Sequence, residues 1–328
     1  MILGKEGNLA MDIPQKMKAA VIDSFGGPEV LHAADIPVPK PGKNEILIRV
    51  NSAGVGVWDP WLRGGGAEVR NFPLVLGSDG AGLVMSVGSG VKRLKIGDRV
   101  YGYVFDNPKG GFYAEYAAIP EKCAAIIPDN IDPFEAGALA VSGITGLLGL
   151  DKLALKEGQT LVITGASGGV GHIALQLAKR MKVRVLAVAS GNDGVELAKK
   201  LGADVAIDGH LPNPADAVKK AAPGGVDAVL LLSNSEDLEA ILGITRKGAR
   251  AAFPNGVEPV PKKRKDVKIV SYDGIPEPKV FERLNHLVRG GEFHVSIARP
   301  YSLEETGQAH EDVLKHHLGK LILKIRIA

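Results

Sequence analysis

The sequence predicts an α/β fold in which a doubly wound parallel sheet is inserted into a β-barrel domain. Three observations predict it. Residues Val162 to Gly171 read V-I-T-G-A-S-G-G-V-G, a strand running into a glycine-rich turn, and they lie in the middle of the chain. After them, apolar runs alternate with helical spacing. Before them, Gly and Pro punctuate short alternating apolar runs roughly every 8–12 residues, which is an all-β pattern.

The elements follow in order. A tail over residues 1–16 precedes a predicted strand at Lys18–Ile22. Further barrel strands are predicted at Glu45–Val50, Ala81–Val87, Arg99–Val104 and Ala114–Ile119. The inserted sheet opens with Thr160–Ile163, an apolar run of the kind found in buried parallel strands. The helix Gly171–Met181 follows, with Ile173, Leu177 and Met181 at helical spacing. Strands are then predicted at Arg184–Val188, Val205–Ile207, Ala228–Leu232, Ala249–Phe253 and Val267–Val270. The helices between them are Gly194–Leu201, ended by Gly202, then Pro214–Ala221, closed by Gly224-Gly225, and Asp237–Ile244, stopped at Lys247-Gly248. A helix near Leu303–His316 leads to a last strand, Leu321–Ile327, expected to pair back onto the barrel. The expected domains are therefore 1–138 completed by 276–328, with 139–275 inserted.

Composition bounds the function. With 45% hydrophobic and 23% charged residues, the chain reads as a globular protein. A net charge of +3 is too small to imply a nucleic-acid partner. The basic run Lys262-Lys263-Arg264-Lys265 reads as a solvated loop, against a targeting or polyanion-binding patch. The single cysteine, Cys123, excludes intrachain disulfides and multi-cysteine zinc sites. There is no charge-free apolar run of membrane-spanning length and no secretory apolar segment, so a cytoplasmic location is expected.

The glycine turn carries the chemistry. Glycines let the backbone approach a pyrophosphate closely, and the N–H groups at the helix start stabilise its charge. Gly165, Ala166, Gly168, Gly169, Val170 and Gly171 are thus expected to bind a dinucleotide. Ligands of doubly wound sheets lie at the carboxyl ends of the strands. That adds Ser190 and Asn192 after the second strand, Ser233 after the fourth and Asn255 after the fifth.

Several further motifs come in a recognisable order. They are Gly77-Ser78-Asp79-Gly80-Ala81-Gly82, Val87-Gly88-Ser89-Gly90-Val91, Ile96-Gly97-Asp98-Arg99-Val100, Tyr113-Ala114-Glu115-Tyr116 and Gly143-Ile144-Thr145-Gly146. In this the chain resembles the medium-chain dehydrogenases/reductases, and within them the zinc-free quinone oxidoreductases related to zeta-crystallin. The resemblance spans about Met17 to Ile327. It implies a chaperonin-10-like β-barrel catalytic domain, an inserted Rossmann domain, an active site between them, NADPH as hydride donor, and a homodimer or homotetramer. It also implies that Thr145 and Asn255 lie near the nicotinamide.

Zinc-dependent relatives ligate metal through Cys, a His-Glu pair and a second Cys or Asp. On the resemblance this chain places Gly56, Ser78-Asp79 and Val141 there, a set that does not supply three ligands. No metal is expected. Without a Lewis acid, alcohol oxidation loses its means of lowering the substrate's pKa, whereas an electrophilic quinone or enone needs less help. At the end of the second strand Ala189 or Ser190 replaces the acid typical of NAD-specific units, which favours NADPH. The lysine common in NADPH-using relatives is Gly194 here.

The substrate loop Gly54–Trp61 departs from the family, with Gly56 and Trp61 where many relatives carry Asn and Tyr. Trp58 and Trp61 read either as core packing or as an apolar wall for a flat substrate. Asp59 reads as orienting the loop, and Tyr103 and Tyr113 as proton donors or barrel structure. The expected reaction is hydride transfer from NADPH to a quinone or an α,β-unsaturated carbonyl, with no nucleic-acid or membrane partner. The alternatives are a non-catalytic NADPH-binding redox sensor and, behind it, a nucleic-acid binder.

Overall fold

The computed structural model describes residues 12–66, 71–235 and 237–325. The amino-terminal part is β-rich. Its strands are β1 (Lys16–Ile22), β2 (His32–Pro37), β3 (Glu45–Val55), β4 (Leu74–Val75), β5 (Asp79–Val87), β6 (Arg99–Tyr103), β7 (Tyr116–Pro120) and β8 (Ala124–Ile126), with one short helix, α1 (Asp59–Arg63). β1 pairs with β2 and β4 in a small antiparallel sheet. β3, β5, β6 and β8 pair antiparallel in that order.

The middle of the chain alternates. It runs α2 (Ala140–Leu153), β9 (Thr160–Thr164), α3 (Gly171–Arg180), β10 (Arg184–Ala189), α4 (Gly191–Lys200), β11 (Val205–Asp208), α5 (Pro214–Ala221), β12 (Val226–Leu230), α6 (Leu238–Leu242), β13 (Thr245–Pro254) and β14 (Val267–Tyr272). The six strands are parallel, in the order β11-β10-β9-β12-β13-β14. That is the doubly wound order with its switch point between β9 and β12. Leu161 and Ile163 of β9 face a core shared with α2, α3 and α7 (Pro278–Arg289), while Val162 faces one shared with α5 and α6. Burial on both faces explains why these strands are apolar without alternation.

The chain then returns to the first part through β15 (Ile297–Tyr301), α8 (Thr306–Asp312) and β16 (Lys320–Lys324). β3 is longer than its predicted Glu45–Val50 run, and its two halves take different partners. Glu45–Arg49 pairs with β7, and Ser52–Val55 pairs antiparallel with β16. The expected return of the last strand to the barrel is thereby observed, although residues 326–327 of that prediction, and 1–11 of the predicted tail, lie outside the described residues.

Besides the short α1, two longer helices were not expected from the pattern. α2 is buried on nearly every side and so has no polar face to betray its period. Its glycines admit neighbours: a Cβ on Gly143 would meet Leu284 of α7 at 2.7 Å, and one on Gly149 would meet the Tyr272 hydroxyl at 2.3 Å. α7 is strongly amphipathic, burying Phe281, Leu284 and Val288, and docks on α2 and α3. No helix among the described residues is long and apolar enough to cross a membrane.

Candidate active site

A cleft of about 540 Å³ opens at the carboxyl ends of β9 and β12, between the glycine turn and the substrate loop. The turn is built as a phosphate cradle. Gly165 has φ of +63°, which a side chain would strain. A Cβ on Gly171 would stand 2.0 Å from the Gly165 carbonyl oxygen, so only glycine lets α3 start this close to β9. Gly168 and Gly169 are different: a Cβ on either meets no protein atom closer than 3.4 Å. Their bareness faces the cleft. The Val170 N–H has no backbone partner among the described residues, as a pyrophosphate site at a helix start requires, while Gly168 is bridged in parallel to Gly319.

Of the expected cofactor residues, Gly165, Gly168, Gly169, Val170, Gly171, Ser190 and Ser233 line the cleft. Four others are not brought to it. Ala166 is buried, with its N–H donated to the Val188 carbonyl. Asn192 is exposed on the first turn of α4. Thr145 lies in the second turn of α2, packed so closely on Gly274 that a Cβ there would meet its Oγ1 at 2.5 Å. Asn255 is exposed and donates to Asp273 Oδ1 at 2.6 Å.

The substrate loop folds around Asp59. This side chain is fully buried and accepts from the Gly56 N–H and the Tyr113 hydroxyl, both at 2.7 Å. Burial pushes its carboxyl up to about 7 despite these two hydrogen bonds, and Oδ1 has no partner. Tyr113 is itself fully buried, and burial together with the Asp59 carboxylate holds its proton on far above the usual phenol value. Asp59 and Tyr113 therefore lie under the loop as its anchor and do not line the cleft.

The two tryptophans part company. Trp58 lines the cleft, packs between both cores and donates its indole N–H to Ser78 Oγ at 2.9 Å. Trp61 stands on α1, is 55% exposed and is not among the cleft residues. Of the two tryptophans, only Trp58 is placed where it could form an apolar wall of the cleft. Tyr103 ends β6, directly opposite Asp79, is buried and is not among the residues lining the cleft; burial and then Asp79 raise its pKa.

Gly56, Ser78, Asp79 and Val141 do converge beside Trp58. A Cβ on Gly56 would meet the Trp58 ring at 2.4 Å, so indole fills the space beside it. Asp79 Oδ2 accepts from the Val141 N–H at 3.2 Å, and both its oxygens accept from Lys320 Nζ, at 3.0 and 3.1 Å. The only carboxylate of the four is thus held by an ammonium, and among the described residues no group of three or more His, Cys, Asp or Glu could hold a metal. This donor set does not fit a catalytic zinc.

Lys320 was not singled out in the sequence, nor were Ser142 and Gly319; they line the cleft together with Ser167 and His316. Their common signal is weak: a Gly-Lys pair opening the last strand. The structure ties this segment to the glycine turn. The Gly319 N–H donates to the Ser167 carbonyl at 2.7 Å, and the Lys320 N–H to the Ser296 carbonyl at 2.9 Å. Buried His172 joins the same seam, with Nδ1 2.8 Å from the Gly168 carbonyl and Nε2 accepting from the Ser296 N–H at 3.1 Å. Burial pushes its pKa down to about 4, which keeps the imidazole neutral for this bridging pair.

Comparison with known proteins places the chain. Residues 42–129 match the family described as alcohol dehydrogenase GroES-like domain, and residues 169–297 the one described as zinc-binding dehydrogenase. The chain is 31% identical to a quinone oxidoreductase of Sus scrofa, over 94% of this chain and 98% of that one. It is 32% identical to a 2-methylene-furan-3-one reductase of Solanum lycopersicum, over 95% and 82%. A crystal structure of an NAD-dependent alcohol dehydrogenase superposes with a TM-score of 0.86 at 29% identity, over 94% of this chain and all of that one. With this fold, a phosphate cradle at its switch point and relatives of this kind over nearly its whole length, the chain belongs to the medium-chain dehydrogenase/reductase superfamily, in its quinone oxidoreductase-like family, and is a pyridine-nucleotide oxidoreductase.

Proposed function

We propose that the protein is a zinc-independent reductase that uses NADPH to reduce a quinone or an α,β-unsaturated carbonyl. The observation that carries the reading is the Gly56, Ser78, Asp79 and Val141 set, in which the one carboxylate is neutralised by Lys320. Similarity to a quinone oxidoreductase and to a furanone reductase supports the substrate class.

When bound, the nicotinamide supplies a hydride; the protein supplies position and electrostatics. The Val170 N–H would meet the pyrophosphate, the bare Gly168 and Gly169 would let it come close, and Ser190 would meet the adenosine ribose. Trp58 offers a flat face to a conjugated ring. The Lys320 ammonium, 5.6 Å from the centre of that indole, has its charge matched by Asp79. Negative charge developing on a substrate oxygen would be stabilised by hydrogen-bond donors aimed at it. The proton that completes the reduction would come from solvent, since Asp59 and Tyr113 are buried away from the cleft and Tyr103 holds its proton firmly. Residues 1–138 with 276–328 would act as the substrate domain and 139–275 as the cofactor domain, in a cytoplasmic homodimer or homotetramer.

The test is NADPH oxidation by chelator-treated enzyme against quinones, 2-alkenals, cyclic enones and saturated ketones. Turnover of quinones or enones, unchanged by chelation and absent with saturated ketones, is the expected result. Activity that appears only with added zinc, or only with alcohols and NAD, would overturn it.

A further inference from the structure

Two imidazoles from distant parts of the chain converge on one hydroxyl. His210 follows β11, and His316 lies between α8 and β16. His210 Nε2 is 3.0 Å and His316 Nδ1 3.2 Å from Ser190 Oγ. Ser190 is the residue before α4, where a serine side chain normally accepts from the helix's own first N–H groups. Here it makes no such bond, so the hydroxyl is turned to the histidines, and carboxylates take the Gly191 and Gly194 N–H groups of the helix instead. All of this stands at the carboxyl end of the second strand of the sheet, where a dinucleotide presents the 2′ position of its adenosine ribose. The cleft reaches Ser190 and His316 directly.

Each imidazole is backed by a carboxylate on its other nitrogen. His316 Nε2 is 2.9 Å from Asp193 Oδ2, and His210 Nδ1 is 3.9 Å from Asp208 Oδ1. Asp208 Oδ1 also accepts from the Gly191 and His210 N–H groups, at 3.0 and 2.9 Å. The hydrogen bond from His316 holds the Asp193 carboxyl below its usual value, so it stays charged through neutral pH. The other charged neighbours are engaged or turned away: Lys315 Nζ is bound to Asp312 at 2.8 Å, and His317 Nδ1 lies 2.9 Å from the Lys315 carbonyl.

We propose that His210 and His316 bind the 2′-phosphate of the dinucleotide and make the choice between NADPH and NADH depend on pH. The inference rests on the NADPH reading above and names the residues that enforce it. Imidazole changes charge within the neutral range. With both rings charged, His210 Nε2 and His316 Nδ1 donate toward the phosphate, and their charge offsets Asp193 and Asp208. With both neutral, the two carboxylates dominate, so a phosphate is repelled and a ribose hydroxyl is accepted. Selectivity for NADPH therefore rises as pH falls. The ligand works in the opposite sense: a phosphomonoester has its second pKa near about 6 and loses charge on acidification. A rise in selectivity on acidification thus comes from the protein.

The test is to measure dissociation constants for NADPH and NADH by titration calorimetry at pH 6.0 and 8.5 on the full chain, for the unsubstituted protein, His210→Gln, His316→Gln and the double variant. Selectivity is expected to fall tenfold or more from the lower to the higher pH. Each single variant should lose part of that change and the double variant nearly all of it. NADH affinity should stay within about twofold throughout, which also reports that the variants are folded. A flat profile in the unsubstituted protein, or a double variant that keeps its slope, would overturn this assignment and leave NADPH use standing. Failure to bind either dinucleotide at any pH would overturn both.

Discussion

Lys320 and Asp79, separated by 241 residues, form an ion pair that is closed to solvent, with Nζ donating to both carboxylate oxygens. The pair joins the first residue of the last strand to the first residue of β5, across the carboxyl end of β3. Gly54 makes room for it: a Cβ there would stand 2.7 Å from Asp79 Oδ1 and 2.9 Å from Lys320 Cε.

Removing one partner leaves a buried charge alone, which costs about 3–5 kcal/mol. Lys320→Met is expected to lower unfolding free energy by that order in urea titrations. The double variant Asp79→Leu/Lys320→Met should recover most of the loss. A single variant within 1 kcal/mol of the parent, on the scale of an ordinary surface change, would show that the pair is not a structural joint.

Asp59 makes stability depend on pH. Its folded-state pKa is raised to about 7 from 3.8. The folded state therefore binds the proton more tightly, and this contribution is present below about pH 4 and is lost as pH rises through 7. Asp59→Asn should remove that decline, so the gap between variant and parent should widen in the variant's favour from pH 5 to 8 by on the order of 3 kcal/mol. His172 works in the other direction. Its pKa is depressed to about 4, so its contribution is present above 6.5 and is lost on acidification. A pH-independent gap between the Asp59 variant and its parent would refute the burial argument.

The glycines of the turn should separate folding from binding. Gly171→Ala drives a Cβ to 2.0 Å from a carbonyl oxygen and should lower the melting temperature by several degrees. Gly169→Ala meets nothing closer than 3.5 Å and should melt as the parent does, while its NADPH affinity falls tenfold or more. Equal effects of the two on melting would contradict the distinction between packing glycine and ligand-facing glycine.

Fluorescence should tell the tryptophans apart. NADPH is expected to quench Trp58, in the cleft, and to leave exposed Trp61 unaffected. Trp58→Phe should abolish most of the quenching, and Trp61→Phe should keep it. The reverse pattern would mean that the loop lies differently when cofactor is bound.

The doubly wound sheet was legible because its signals are local. Thr160–Thr164 is apolar for burial on both faces, and the glycines after it mark a backbone that must turn and come close. The helix Pro214–Ala221 was legible to the residue, since a proline starts it and glycines follow. α2 was not, because burial all round erases the period that marks a helix. Thr145 and Asn255 were expected near the nicotinamide and are not among the residues lining the cleft. A residue one or two positions past a strand end can face the cleft, as Ser233 does, or turn away to a neighbour, as Asn255 does to Asp273.

By itself, then, the sequence determined the fold class, the dinucleotide turn and the poverty of metal ligands, since each depends on residue type and short spacing. The tertiary structure decided which charges meet. Lys320 on Asp79, His210 and His316 on Ser190, and Asp59 beneath its loop are all set by strand pairing and packing between segments distant in the chain. The energy of a charge depends on burial and on what lies within a few ångströms, and neither is written in the spacing along the chain.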